Sequence, residues 1–172
     1  VGHPYFDEMA HQQLDRKFVA VVHAAGQPLV TLLPGSRTQE VNANLKSFLS
    51  TAQKIRRELP HVRFAVAAYN ERQAEVARQQ VATDYAELPI SIHVGRTPEL
   101  IAAATVCLAC SGSVSLELLH HEKPTVIHYK ISRTAFVIQR FFRRVRFITL
   151  VNLLASEQRY CRHGERYDAA VD

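Results

Sequence analysis

The strand-like stretches of this chain are apolar almost throughout instead of alternating apolar with polar residues. Residues 29–33 (LVTLL), 62–68 (VRFAVAA) and 105–109 (TVCLA) show this most clearly. A strand with one wet face alternates with a period of two, so continuous apolar runs require cover on both faces. Helical stripes lie between them. Val41, Leu45, Phe48, Leu49, Ala52, Ile55 and Leu59 recur at helical spacing until Pro60 stops the pattern. Leu14, Phe18, Val21, Val22 and Ala25 form an earlier stripe, ended by Gly26 and Pro28. The pattern also predicts a polar helix over 71–82 and a helix over 114–121. A short helix is predicted over 98–104, with Thr97 as its cap and Pro98 at the favoured first position. Further strands fall at 90–94 and 124–129, and a basic-apolar helix near 133–145 precedes a short apolar segment at 148–154. Strand and helix in alternation give the α/β class, a Rossmann-like parallel sheet with helices on both faces.

Ligands of such sheets bind beyond the carboxyl ends of the strands. Two turns there carry suitable chemistry. The first is Pro34-Gly35-Ser36-Arg37, between strand 29–33 and the long helix. A helix N-terminus has unpaired backbone N–H groups and about half a positive charge, which suits an anion. Gly35 allows close approach of backbone to a ligand, and Arg37 adds a planar donor fork that matches phosphate. The second turn is Ser111-Gly112-Ser113-Val114-Ser115-Leu116-Glu117. The hydroxyls of Ser111, Ser113 and Ser115, with the open backbone of Gly112, again favour a phosphate or diphosphate. Glu117 is placed to accept hydrogen bonds from the two vicinal hydroxyls of a ribose. Each turn alone also has a purely structural reading, with the serines as caps and Glu117 offsetting the helix dipole. Two of them on one sheet edge, with Arg37, point to a nucleotide-diphosphate site.

Other function classes recede. The chain has 172 residues, 47% apolar and 22% charged, which fits one folded domain and not disorder. It lacks an apolar run of about 18 residues, the length that crosses a bilayer. Its net charge of +5 favours anionic partners without choosing among them. Cys107 and Cys110 have the spacing of metal and redox motifs, but they lie on an apolar run without a second pair and read as core. His120 and His121 point about 100° apart on a helix, and the remaining histidines show no ligand spacing. No metal and no cofactor is expected, and no catalytic base is evident. Reduced thiols without an export signal point to the cytoplasm.

The stretch 130–146 holds one Lys, five Arg and three Phe. It reads either as an interfacial helix on an anionic membrane surface or as a core helix that buries Phe136, Ile138 and Phe142. Nucleic acid is the weakest partner, because no recognised module accompanies the charge.

Several motifs together resemble one family. They are Val1-Gly2-His3-Pro4 with Asp7-Glu8, Leu33-Pro34-Gly35-Ser36-Arg37 with Glu40, Ser111-Gly112-Ser113 with Leu116-Glu117, and Asn152-Leu153-Leu154-Ala155. In order and spacing they are similar to lipid-A-disaccharide synthases, up to about Ala155. The resemblance implies the C-terminal, donor-binding half of a two-domain GT-B glycosyltransferase. Residues 1–13 would be a linker from an N-terminal domain, 14–155 the Rossmann-like UDP-sugar domain and 156–172 an incomplete C-terminal segment. The implied reaction transfers diacylglucosamine from UDP-2,3-diacylglucosamine to lipid X, giving a β-1,6 disaccharide and UDP. It needs no metal and runs at the cytoplasmic face of the inner membrane.

Carried over residue by residue, Gly35, Ser36, Arg37, Ser111, Gly112, Ser113 and Ser115 would face the diphosphate and its sugar. Glu117 would hold the ribose and Asn152 would line the pocket. Arg37 would stabilise the leaving group, with the base outside this chain, so the fragment alone is expected to be inactive. Ser113, Val114 and Ser115 depart from the family's usual Thr, Ala and Thr, and Val151 from its Pro. Residues 158–161 also differ, from a more typical Leu-Val-Pro-Glu. The alternatives are another GT-B domain, of a UDP-GlcNAc transferase or epimerase, and a non-catalytic membrane-surface domain. The oligomeric state has no signature in the sequence.

Overall fold

The computed structural model describes residues 11–24, 26–110, 112–128 and 130. Ser111, Asn152, the stretch 131–146, the segment 148–154 and the tail 156–172 lie outside the described residues, as does most of the expected linker. The elements run α1 (Arg16–Ala24), β1 (Leu29–Leu33), α2 (Thr38–Glu58), β2 (Arg63–Ala68) and α3 (Glu71–Asp84). They continue with β3 (Ile90–Val94), α4 (Thr97–Ala103), β4 (Val106–Cys110), α5 (Val114–His120) and β5 (Thr125–His128).

All strand pairings are parallel, and the order across the sheet is β3-β2-β1-β4-β5. Thr31 of β1 therefore faces Ala65 of β2 on one side and Cys107 of β4 on the other. The chain builds outward from β1 in one direction, then returns to β1 and builds outward in the other. That reversal leaves a crevice between the carboxyl ends of β1 and β4.

Alternate residues of β1 feed two separate cores. Val30 and Leu32 pack with Val41, Leu45, Phe48 and Leu49 of α2 and with Phe64 and Val66 of β2. Leu29 and Leu33 pack on the opposite face with Leu100 and Ile101 of α4 and Leu118 of α5. Two buried faces explain the continuous apolar run, and each fully buried aliphatic side chain contributes roughly 1.5–3 kcal/mol. Thr31, the polar member of β1, is fully buried and donates its hydroxyl to the Leu100 carbonyl at 3.0 Å. That bond removes the penalty of burying a lone hydroxyl.

Two details differ from the sequence expectation. Helix α4 has Arg96, not Thr97, as its N-cap, so the helix starts one residue earlier. The Arg96 guanidinium bonds Asp15 at 3.1 Å and Glu99 at 3.2 Å, linking the start of α4 to the residue before α1. Edge strand β3 is only partly buried: Ser91 is exposed and bonds His93 Nε2 at 2.8 Å. An edge strand need not be dry on both sides, so the continuous pattern belongs to the central strands.

Candidate functional site

A cleft of about 630 Å³ opens at the carboxyl ends of the strands. Gly35, Ser36, Arg37 and Glu40 line it from the β1–α2 turn, and Cys110, Gly112, Ser113, Val114 and Glu117 from the β4–α5 turn. Tyr69 after β2 and Gly95, Thr97 and Pro98 after β3 close the far side. The volume suits a small organic ligand. The two turns chosen from sequence thus meet at one site, although their glycines stand 77 positions apart in the chain.

The β1–α2 turn is built differently from a plain phosphate cradle. Its helix is capped by Arg37, which has no acceptor to offer the first-turn N–H groups. Glu40, at the third helical position, reaches back in its place. Its Oε2 accepts from the Ser36 N–H at 3.1 Å and the Arg37 N–H at 3.2 Å, and its Oε1 accepts from Arg37 Nη1 at 3.2 Å. This is the carboxylate half of a capping box. The carbonyls of the turn are claimed as well. Buried Asn44 donates Nδ2 to the Pro34 carbonyl at 3.2 Å, and buried Gln73 donates Nε2 to the Ser36 carbonyl at 2.7 Å.

Gly35 serves that packing. Its φ is +127°, a conformation that L side chains rarely adopt. A Cβ there would lie 2.6 Å from both Cβ and Oε2 of Glu40 and 3.3 Å from Cys110 Sγ. The close neighbour of Gly35 is therefore the Glu40 side chain, where the sequence suggested a ligand. The Arg37 side chain is 82% exposed, and its guanidinium is the turn's projecting donor.

At the β4–α5 turn Gly112 and Ser113 line the cleft, and nothing lies within 4 Å of a Cβ added to Gly112. Ser115 turns away from the cleft. It is buried, and its Oγ donates to the Gly112 carbonyl at 2.7 Å, closing the turn. Glu117 is buried and lines the cleft. Burial first, and the Glu99 carboxylate second, raise its pKa above the ordinary value.

Cys107 is buried on β4, and burial pushes its thiol up to about 12, so it is no nucleophile near neutral pH. Cys110 faces the cleft; burial first and the Glu40 carboxylate second raise its pKa. Among the described residues no group of three or more His, Cys, Asp or Glu is placed to hold a metal ion. Among them, too, no helix is long and apolar enough to cross a membrane.

Sequence reasoning missed Asn44 and Gln73, and it quoted Glu40 without giving it a task. The spacing of Glu40, three residues after the cap, is a readable signal. Gln73 had none, because its partner on the first turn is 37 positions away.

The model of the lipid-A-disaccharide synthetase family matches residues 1–161. The chain belongs to that family. Among curated lipid-A-disaccharide synthases, that of Thiobacillus denitrificans is 31% identical over 159 residues, covering 91% of this chain and 42% of that protein. The synthase of Alkalilimnicola ehrlichii is 34% identical over 164 residues, again 91% of this chain and 42% of its own length. That of Pseudomonas fluorescens is 36% identical over 129 residues, 74% of this chain and 34% of the relative. The chain therefore spans about two fifths of the length of the synthases it matches.

Proposed function

We propose that this chain is the donor-binding domain of a lipid-A-disaccharide synthase. The observation that carries the reading is the meeting of Arg37, Gly112, Ser113 and Glu117 in one cleft at the strand reversal, in a chain of this family. The donor is UDP-2,3-diacylglucosamine and the acceptor lipid X. Attack of the acceptor's 6-hydroxyl on the sugar's anomeric carbon forms the glycosidic C–O bond and breaks the bond to the diphosphate. The hydroxyl proton goes to a base outside these residues, and UDP leaves with the bonding pair.

Charge grows on the diphosphate as that bond breaks. The Arg37 guanidinium and the groups of the β4–α5 turn stabilise it more in the transition state than in the ground state. A transferase without a metal depends on such fixed donors. Glu117 takes the ribose hydroxyls, and Ser111 and Asn152 complete the donor pocket. The stretch 130–146 offers its basic residues to an anionic membrane surface, the alternative being a core helix that buries Phe136, Ile138 and Phe142. The chain alone is inactive, because half of the cleft and the base belong to the partner domain.

The test is a panel of sugar nucleotides offered to the full-length protein with lipid X as acceptor. Turnover is expected with UDP-2,3-diacylglucosamine. Preference for unacylated UDP-GlcNAc overturns the lipid reading, as does turnover of lipid X by residues 1–172 alone.

A further inference from the structure

Two adjacent N–H groups of the β1–α2 turn that a phosphate would seek are already taken, and two of the turn's carbonyls are tied down. The Ser36 and Arg37 N–H groups both donate to one oxygen of Glu40, and the Pro34 and Ser36 carbonyls accept from Asn44 and Gln73. A carboxylate oxygen receiving two adjacent backbone N–H groups at a helix N-terminus occupies the position that a bound anion takes there. Gly35 independently supports this. Its missing side chain and its φ of +127° make the space that the Glu40 carboxylate fills.

We propose that Glu40 is the built-in anion of the β1–α2 turn and a specificity-determining residue of the donor site. It reserves the Ser36 and Arg37 N–H groups, so that the diphosphate of a nucleoside diphosphate is met here by the Arg37 guanidinium and not by these two amides. The inference rests on the donor-site reading given above. It replaces backbone readout of the phosphate with side-chain readout at the first turn.

The test follows Glu40 Cδ, the Ser36 amide and the Arg37 guanidinium by NMR in the labelled chain. UDP should move the Arg37 guanidinium resonance and leave Glu40 Cδ and the Ser36 amide in place. Inorganic phosphate should leave the wild-type Ser36 amide unmoved. Glu40→Ala opens the turn, and phosphate should then bind at the Ser36 and Arg37 amides at least about tenfold more tightly than in the wild type. Glu40→Gln keeps an oxygen that accepts both N–H groups, so it should behave as the wild type toward phosphate. This variant also guards against mere loss of the helix cap. Displacement of Glu40 by UDP, seen as a wild-type shift of Glu40 Cδ and the Ser36 amide, overturns the inference and leaves the donor site standing. Equal phosphate binding by Glu40→Ala and Glu40→Gln overturns it too. UDP moving none of these resonances, nor those of Gly112 and Ser113, removes the donor site itself.

Discussion

Gln73 of α3 donates Nε2 to the carbonyl of Ser36 at 2.7 Å, tying the loop after β2 to the turn after β1. Its Oε1 accepts from the Tyr69 N–H at 3.1 Å, and its own N–H is held by Asn70 Oδ1 at 3.0 Å. One fully buried amide thus couples two walls of the cleft. Removing it leaves a carbonyl and an N–H without partners. Gln73→Ala should destabilise the fold by about 1–3 kcal/mol, the loss of two hydrogen bonds of roughly 0.5–1.5 kcal/mol each. Urea titration measures this; a change within a few tenths of a kcal/mol would show that the tie contributes nothing.

Two glycines with positive φ differ both in backbone conformation and in what a side chain would meet. Gly26, at φ +63°, has nothing within 4 Å of an added Cβ, whereas Gly35 meets Glu40 at 2.6 Å. Gly26→Ala should cost only the left-handed backbone term, about 1–2 kcal/mol. Gly35→Ala should cost clearly more, since φ +127° is more strained for alanine and Glu40 must also leave its N–H partners. Denaturant midpoints of the two variants decide this, and equal losses would argue that Glu40 gives way freely.

The raised pKa of Glu117 has a pH signature. Its folded carboxyl binds a proton more readily than the unfolded one, because burial and Glu99 disfavour its charge. The resulting stabilisation is present below the ordinary value of 4.5 and is lost as pH rises through the elevated folded value. Glu117→Gln removes that dependence. The variant should gain stability relative to wild type at neutral pH, and the gain should shrink as pH falls below the ordinary carboxylate range. If Glu117 holds the ribose, the same variant should bind UDP more weakly. Urea midpoints across pH, with UDP titrations beside them, report both effects.

Liposome co-sedimentation examines residues 130–146. Arg143→Glu with Arg144→Glu should reduce sedimentation with anionic vesicles and have little effect with neutral ones, as expected for basic residues on a charged surface. Unaltered sedimentation would assign these arginines to another task.

Much of the fold was readable because it rests on local signals. The run Leu29–Leu33 is apolar on both faces and bounded by Pro28 and Pro34, and the strand has those limits. Pro60 likewise ends α2 at Glu58. The convergence of Gly35 and Gly112 was readable too, because parallel α/β topology places such turns along one edge. What escaped depends on how far a side chain reaches. Composition cannot tell whether the N–H groups of Ser36 and Arg37 await a ligand or already bond Glu40. Ser115 could equally have faced the cleft; its hydroxyl instead donates to the Gly112 carbonyl.

The central claim is that Arg37 contributes a charged contact to a UDP site in this cleft. Calorimetric titration of UDP into wild type and Arg37→Ala addresses it most directly. Saturable binding by the wild type, weakened about 10- to 150-fold in Arg37→Ala, is the expected result, as for the loss of one charged hydrogen bond. Absence of UDP binding to the folded wild type, or equal affinity of the two proteins, would contradict it.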